Sequence, residues 1–156
     1  MSLEDLYREV ILDHYRNPRN RTPLDHPDSS AEGVNPLCGD EVTVELSFDD
    51  GTVQAVSVRG QGCSISQSSA SMMGHAIKGK TTEEIEDLVE RFKTMMLSEN
   101  GVVLDPDHPG ATIGELEALA GVRKYPVRIK CANLPWTTLE EALDARKPEI
   151  PNSAPD

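Results

Sequence analysis

Aromatic side chains are scarce in this chain of 156 residues: two Phe, three Tyr and Trp136 make up 4% of it, too few for a platform on which nucleic-acid bases stack. Positive charge is also short. Fifteen Lys and Arg against 27 Asp and Glu leave a formal net charge of -12, which opposes a phosphate backbone and an anionic membrane surface. Nucleic acid and membrane are thereby set aside as partners. No run approaches the ~20 apolar residues of a membrane span, and the N-terminal MSLEDLYREV carries acids where an export signal carries Lys or Arg before an apolar stretch. The expected location is cytoplasmic. Cysteine is limited to Cys38, Cys63 and Cys131, an odd and widely spaced set that argues against a disulfide framework and for metal binding or thiol chemistry. The chain has no phosphate-binding P-loop, no GxGxxG and no cysteine with an adjacent histidine, so nucleophilic hydrolysis is a poor fit.

The length suits one domain of about 150 residues, and 37% hydrophobic residues suffice for a small two-layer core. Residues 1–146 are expected to form that domain, with 147–156 (KPEIPNSAPD) a disordered tail. Leu3, Leu6, Tyr7, Val10, Ile11 and His14 recur at helical spacing, which predicts a helix over 3–16 stopped by Asn17-Pro18. Residues 17–37 have no period and predict an extended, loop-like segment. Val42, Val44, Leu46 and Phe48 alternate with polar residues, and Asp49-Asp50-Gly51 turns the chain into TVQAVSVR. This predicts an antiparallel hairpin, with a bulge where Val53 falls out of phase with Val56 and Val58. A helix follows from Ser64 to Lys78, and Thr81 with Glu84 forms a capping box for the next, through Met96. Residues 98–111 predict a loop, and Thr112 with Glu115 a short helix stopped by Gly121. The segment VRIKCANLPW predicts a first helical turn broken before Pro135, with a last helix starting at Thr137 and Glu140.

Chemistry concentrates at Cys38-Gly39-Asp40, Gly62-Cys63 and Cys131. Each cysteine falls at a loop or helix start, where unpaired backbone N–H groups and the helix dipole favour a thiolate. The flanks of Cys38 (NPLCGDE) and Cys63 (GQGCSIS) are polar and glycine-rich, which speaks against simple core packing; the flank of Cys131 (RIKCANL) fits either role. Three thiolates with the Asp40 carboxylate make a three-sulfur, one-oxygen set suited to zinc or an iron–sulfur cluster. Four anionic ligands call for a nearby cation, and Arg128, one helical turn before Cys131, can stabilise the thiolates. Asp40 is the harder and more easily exchanged ligand. His14 is expected in the core or at a helix end, and His26 and His108 in solvent. His75 lies too far along its helix to share a metal with Cys63. The Met72-Met73 and Met95-Met96 pairs are core filler, and EEIEDLVE is a solvated helix face.

With these residues in place, the chain resembles the SufU branch of the IscU/NifU-N-terminal family of iron–sulfur cluster assembly proteins. The resemblance is carried by ILDHYRNPRN, NPLCGD, GCSIS and RIKCANLPW in the family's order and covers nearly the whole chain. It implies an α+β fold, a small antiparallel meander sheet with helices packed on one face. It also implies Cys38, Asp40, Cys63 and Cys131 as metal ligands. IscU proteins carry a histidine just before the third cysteine, where this chain has Lys130, and the stretch between Cys63 and Cys131 is longer here, near 93–112; both features are SufU-like. The implied activity is that of a zinc-dependent sulfurtransferase, a persulfide acceptor working with a SufS-type cysteine desulfurase that itself holds the pyridoxal phosphate, and with other iron–sulfur assembly proteins. Cys38, on a loop between Pro36 and Gly39, is the expected sulfur acceptor. Two alternatives stay open: a scaffold that binds iron or a nascent iron–sulfur cluster at the same ligands, and a structural zinc module that mediates contacts.

Overall fold

The computed structural model describes residues 2–97, 107–108 and 113–146. The expected tail at 147–156, the expected cap Thr112 and most of the 98–111 loop lie outside the described residues. The first helix, α1 (Leu3–Arg16), starts at Ser2, whose hydroxyl accepts from the Asp5 N–H at 3.1 Å, and ends where the Asn17 N–H donates to the Asp13 carbonyl. Three strands follow, β1 (Ser29–Asn35), β2 (Asp40–Asp49) and β3 (Thr52–Gln61), in an antiparallel sheet of order β1-β2-β3. Then come α2 (Ser64–Ile77), α3 (Thr82–Leu97), a 3-10 helix (Gly114–Lys124) and α4 (Pro126–Arg146). The architecture is the α+β meander that the sequence implies.

The hairpin forms with the expected irregularity. Ser47 pairs with Ala55 and Phe48 with Val53, leaving Gln54 as the extra residue, so Val53, Val56 and Val58 all reach the core despite the broken alternation. The capping box of α3 is reciprocal: Thr81 N–H donates to Glu84 at 2.9 Å and Glu84 N–H to Thr81 Oγ1 at 3.1 Å.

Three expectations fail. The loop-like segment 17–37 contains β1, paired with β2 from Ser29↔Leu46 to Asn35↔Asp40. Its pattern hides the strand because the inward residues, Ser29, Ala31, Gly33 and Asn35, are small or polar. They must be, since α4 lies directly on β1: a Cβ at Gly33 would fall 2.0 Å from Thr138 Oγ1. The second failure is the break before Pro135. A single helix α4 runs through it, with Pro135 inside, although an interior proline removes a backbone hydrogen bond and costs roughly 3 kcal/mol. Packing outweighs that cost. The neighbouring Trp136 is fully buried, stacks on Phe92 with ring centroids 4.5 Å apart, and donates its indole N–H to Ser69 Oγ at 3.0 Å, while Ser69 donates to the Ala132 carbonyl. The short helix expected to stop at Gly121 is a 3-10 helix that continues to Lys124.

On the other face of the sheet, Arg59 grips Glu45 through two bonds of 2.9 and 3.1 Å, and the Leu24 N–H donates to the same carboxylate at 3.0 Å. The Arg59 hydrogen bonds hold the Glu45 carboxyl below the usual carboxylate range. A depressed carboxyl stabilises the fold fully above its unfolded pKa of about 4.3 and loses that effect as pH falls through the folded value. Glu45→Gln is therefore expected to lower stability by about 1–2 kcal/mol at pH 7, and the gap to the parent, followed by urea unfolding, is expected to close below about pH 4.

Candidate metal centre

Cys38 with Asp40 and Cys63 come from two junctions, while Cys131 comes from the body of α4 rather than from the helix start expected of it. After β1, the Asn35 side-chain oxygen accepts from the Leu37 N–H at 3.2 Å, and the Cys38 N–H donates to the Asn35 carbonyl at 3.2 Å. This turn presents Cys38, half-buried beside the exposed Leu37. Gly39, in the left-handed region at φ +71° with open space around it, then swings the chain into β2, whose first residue is Asp40. Cys63 caps the N-terminus of α2, its sulfur accepting from the Ser66 N–H at 3.4 Å. Cys131 lies in the second turn of α4, fully buried.

These segments converge. One ligand atom each from Cys38, Asp40 and Cys131 lies within 4.8 Å of the other two, and the Cys131 and Cys38 sulfurs are 3.3 Å apart with no disulfide between them. Cys63 stands just outside that triple, with its sulfur 3.8 Å from Asp40 Oδ2. The Cys63 N–H donates to Asp40 Oδ1 at 2.8 Å, which fixes the carboxylate. Gly62 makes that bond feasible: at φ +145°, a Cβ there would fall 2.2 Å from Asp40 Oδ1. Sequence reasoning singled out the four ligand candidates and missed this positioning role of Gly62, for which the glycine-rich GQGC flank was the available signal.

Electrostatics favour a cation among these groups. Burial pushes the Cys131 thiol far above its ordinary pKa, reinforced by its hydrogen bonds with Cys38, Asp40 and Cys63. A buried, sulfur-rich pocket that strongly disfavours thiolates on its own becomes favourable for them when a divalent cation shares it. Three sulfurs and one carboxylate oxygen form a donor set that zinc accepts in tetrahedral geometry. The exposed Arg128 sits beside the sulfurs. The charge of Cys63, followed by hydrogen bonds to Cys131 and Cys63, raises its pKa further.

The remaining candidates fall elsewhere. His14 is buried, with Nδ1 2.7 Å from Ser71 Oγ and Nε2 2.9 Å from Glu115, so it is a satisfied core histidine. His26, His75 and His108 are exposed. Met72, Met73, Met95 and Met96 are core residues, and the acids of EEIEDLVE face solvent. A cleft of about 1110 Å³ opens beside Cys63, walled by Tyr7, Ile11, Tyr125 and Val127 with Arg8 and Lys124 at its sides. No helix is long and apolar enough to cross a membrane among the described residues.

Comparison with known proteins gives one consistent answer. The family described as the NifU-like N terminal domain matches residues 6–132. The chain is 43% identical over 143 residues, 91% of its length and 92% of the relative's, to a Bacillus subtilis protein named zinc-dependent sulfurtransferase SufU. It is 37% identical, over 90% of its length and 84% of the relative's, to a Streptococcus pyogenes protein named iron-sulfur cluster assembly scaffold protein IscU. Among solved structures, a putative iron-sulfur cluster assembly scaffold protein for the SUF system from Fervidobacterium islandicum matches with a TM-score of 0.74 and 34% identity. That match covers 86% of this chain and 94% of the other.

Adding one methyl group at Gly62 is expected to push the Asp40 carboxylate off the Cys63 N–H. Gly62→Ala should retain the helical circular dichroism of the parent and bind zinc at least tenfold more weakly, as measured by competition with a chromophoric chelator.

Proposed function

Because the chain belongs to the family of NifU-like N terminal domains, we propose that it is an iron–sulfur cluster assembly protein acting as a zinc-dependent sulfur acceptor. Its domain spans 1–146. Cys38, Asp40, Cys63 and Cys131 hold the metal, and Cys38 takes the sulfur. The observation that carries this reading is the unequal anchoring of the four ligands. Cys131 is buried on α4, Cys63 is bound into the first turn of α2, and Asp40 is buried and tied to the Cys63 backbone. Only Cys38 sits on a turn, between the 79%-exposed Leu37 and the unobstructed Gly39, where a ligand can leave without dragging a helix or strand.

Bound zinc would keep the cysteines as unoxidised thiolates. The protein's own residues do the rest. The Cys38 thiolate attacks the terminal sulfur of a donor cysteine persulfide: a bond forms between Cys38 Sγ and that sulfur, the donor's S–S bond breaks, and the donor cysteine leaves as a thiolate. One sulfur atom moves and nothing is oxidised overall. Arg128, beside Cys63 and Cys131, compensates the surplus negative charge of four anionic ligands and steadies the thiolates that remain when Cys38 departs. The chemistry of the donor points to a pyridoxal-phosphate cysteine desulfurase of the SufS type, encountered in the cytoplasm alongside other iron–sulfur assembly proteins. A second reading, a scaffold on which a nascent cluster assembles, is favoured by the 37% identity to a relative named as such a scaffold, and it uses the same ligands.

Zinc-loaded, iron-free protein incubated with a SufS-type desulfurase and cysteine is expected to gain one sulfur atom on Cys38, located by peptide mass spectrometry. Cys38→Ala should lose acceptance, and Arg128→Ala should slow it roughly tenfold, the scale of one lost charge-assisted hydrogen bond. Absence of sulfur on the parent, with iron-dependent colour once iron and sulfide are supplied, would transfer the assignment to the scaffold.

A further inference from the structure

Among the described residues, one buried polar atom on the turn that presents Cys38 has no partner. Asn35 is 9% exposed, and its amide nitrogen Nδ2 makes no hydrogen bond. Its orientation is fixed, because Oδ1 accepts from the Leu37 N–H; flipping the amide would set one N–H group against another. A buried donor left unpaired is costly and rare enough in native proteins to need an explanation.

Three features bring this side chain to the metal ligands. Asn35 is paired with Asp40 across the β1–β2 ladder, and residues directly opposite in antiparallel strands project to the same face. The inward positions of β1 meet α4, where Gly33 lies against Leu134 and Thr138, and Asn35 is the next inward position, beside the end of the sheet where Cys38 meets Cys131. The same residue also forms the turn that presents Cys38, accepting the Cys38 N–H on its backbone carbonyl.

We propose that Asn35 is a positioning residue for sulfur transfer, with its Nδ2–H donating to the sulfane sulfur carried on Cys38. The inference rests on Cys38 being the acceptor. Among the described residues the amide makes no hydrogen bond. A persulfide extends Cys38 by one S–S bond, about 2 Å, and adds an anionic acceptor on the turn that Asn35 builds. The bond favours the loaded state over the unloaded one, so Asn35 helps to retain the sulfur once it has arrived, and the turn it builds keeps donor and cargo in register.

The test compares the zinc-loaded parent with Asn35→Ser, which keeps an oxygen acceptor for the Leu37 N–H and deletes Nδ2, and with Asn35→Ala, which deletes both. Each protein is loaded with a desulfurase and cysteine and freed of the enzyme. It is then equilibrated with reduced glutathione, and the ratio of persulfide to thiol at Cys38 is read by peptide mass spectrometry alongside zinc content and Tm. The expected result for Asn35→Ser is unchanged zinc content and Tm, with the equilibrium shifted about tenfold toward the unloaded thiol, the scale of a hydrogen bond to a charged group. Equal ratios in parent and Asn35→Ser would overturn the inference while leaving Cys38 as acceptor. Loss of zinc from Asn35→Ser would overturn it by assigning the amide to the resting ligands. A parent that takes no sulfur at Cys38 would overturn both readings, and does so in an arm that contains no variant.

Discussion

The hydrogen bond from the Cys63 N–H to Asp40 Oδ1, at 2.8 Å, joins the first residue of β2 to the first turn of α2. The rest of the centre is built around that joint. The two residues belong to elements separated by the whole β2–β3 hairpin, so their meeting is set by sheet register and by the direction in which β3 delivers the chain into α2. Gly62 lets the backbone come close enough, and the unpaired amides at the start of a helix supply the donor. A carboxylate fixed in this way keeps its second oxygen toward the Cys63 sulfur. One bond therefore orients two ligands.

Cys131 reaches the same place through α4, and the helix must be continuous for that to happen. A break before Pro135 would separate the Cys131 turn from the Trp136 anchor that docks α4 against α2 and α3. The stack on Phe92 and the Trp136–Ser69–Ala132 hydrogen bonds involve the residue next to Cys131 and the residue five positions on, so core packing also determines where the buried sulfur sits. The proline is tolerated because its neighbours are worth more in the core than the backbone bond it removes.

Legibility in the sequence follows from this. Elements with a single dominant period, α1, the β2–β3 hairpin and α3, could be read directly, down to the displaced Val53 and the Thr81/Glu84 cap, and α2 could be read from its Ser-, Ala- and Met-rich composition. What escaped is where tertiary contact overrides local pattern: β1 is concealed because α4 leaves room only for small inward side chains, and α4 reads as interrupted because propensity alone weighs Pro135 without Trp136. The candidate ligands were visible through residue type and polar flanks, and the loop position of Cys38 was legible with them. How firmly the other three are held was not, because it depends on which sulfur is capped and which is buried. Asp40 shows the difference: as a hard oxygen donor it looks exchangeable, yet it is fully buried and held by a backbone amide.

The acidity of the chain sharpens the electrostatic problem at the centre. A protein of net charge -12 that gathers three sulfurs and a carboxylate in one place needs local positive charge whenever those sulfurs are thiolates, and burial of Cys131 makes that need acute. A bound divalent metal would meet it at the core of the cluster. At its edge, Arg128 lies beside two of the sulfurs, and Arg8 and Lys124 share with it the cleft that opens at Cys63. Arg128 lowers the energy of thiolates beside it, and the three cations along this cleft give the approach to the sulfurs a local positive charge that the net charge of the chain does not predict.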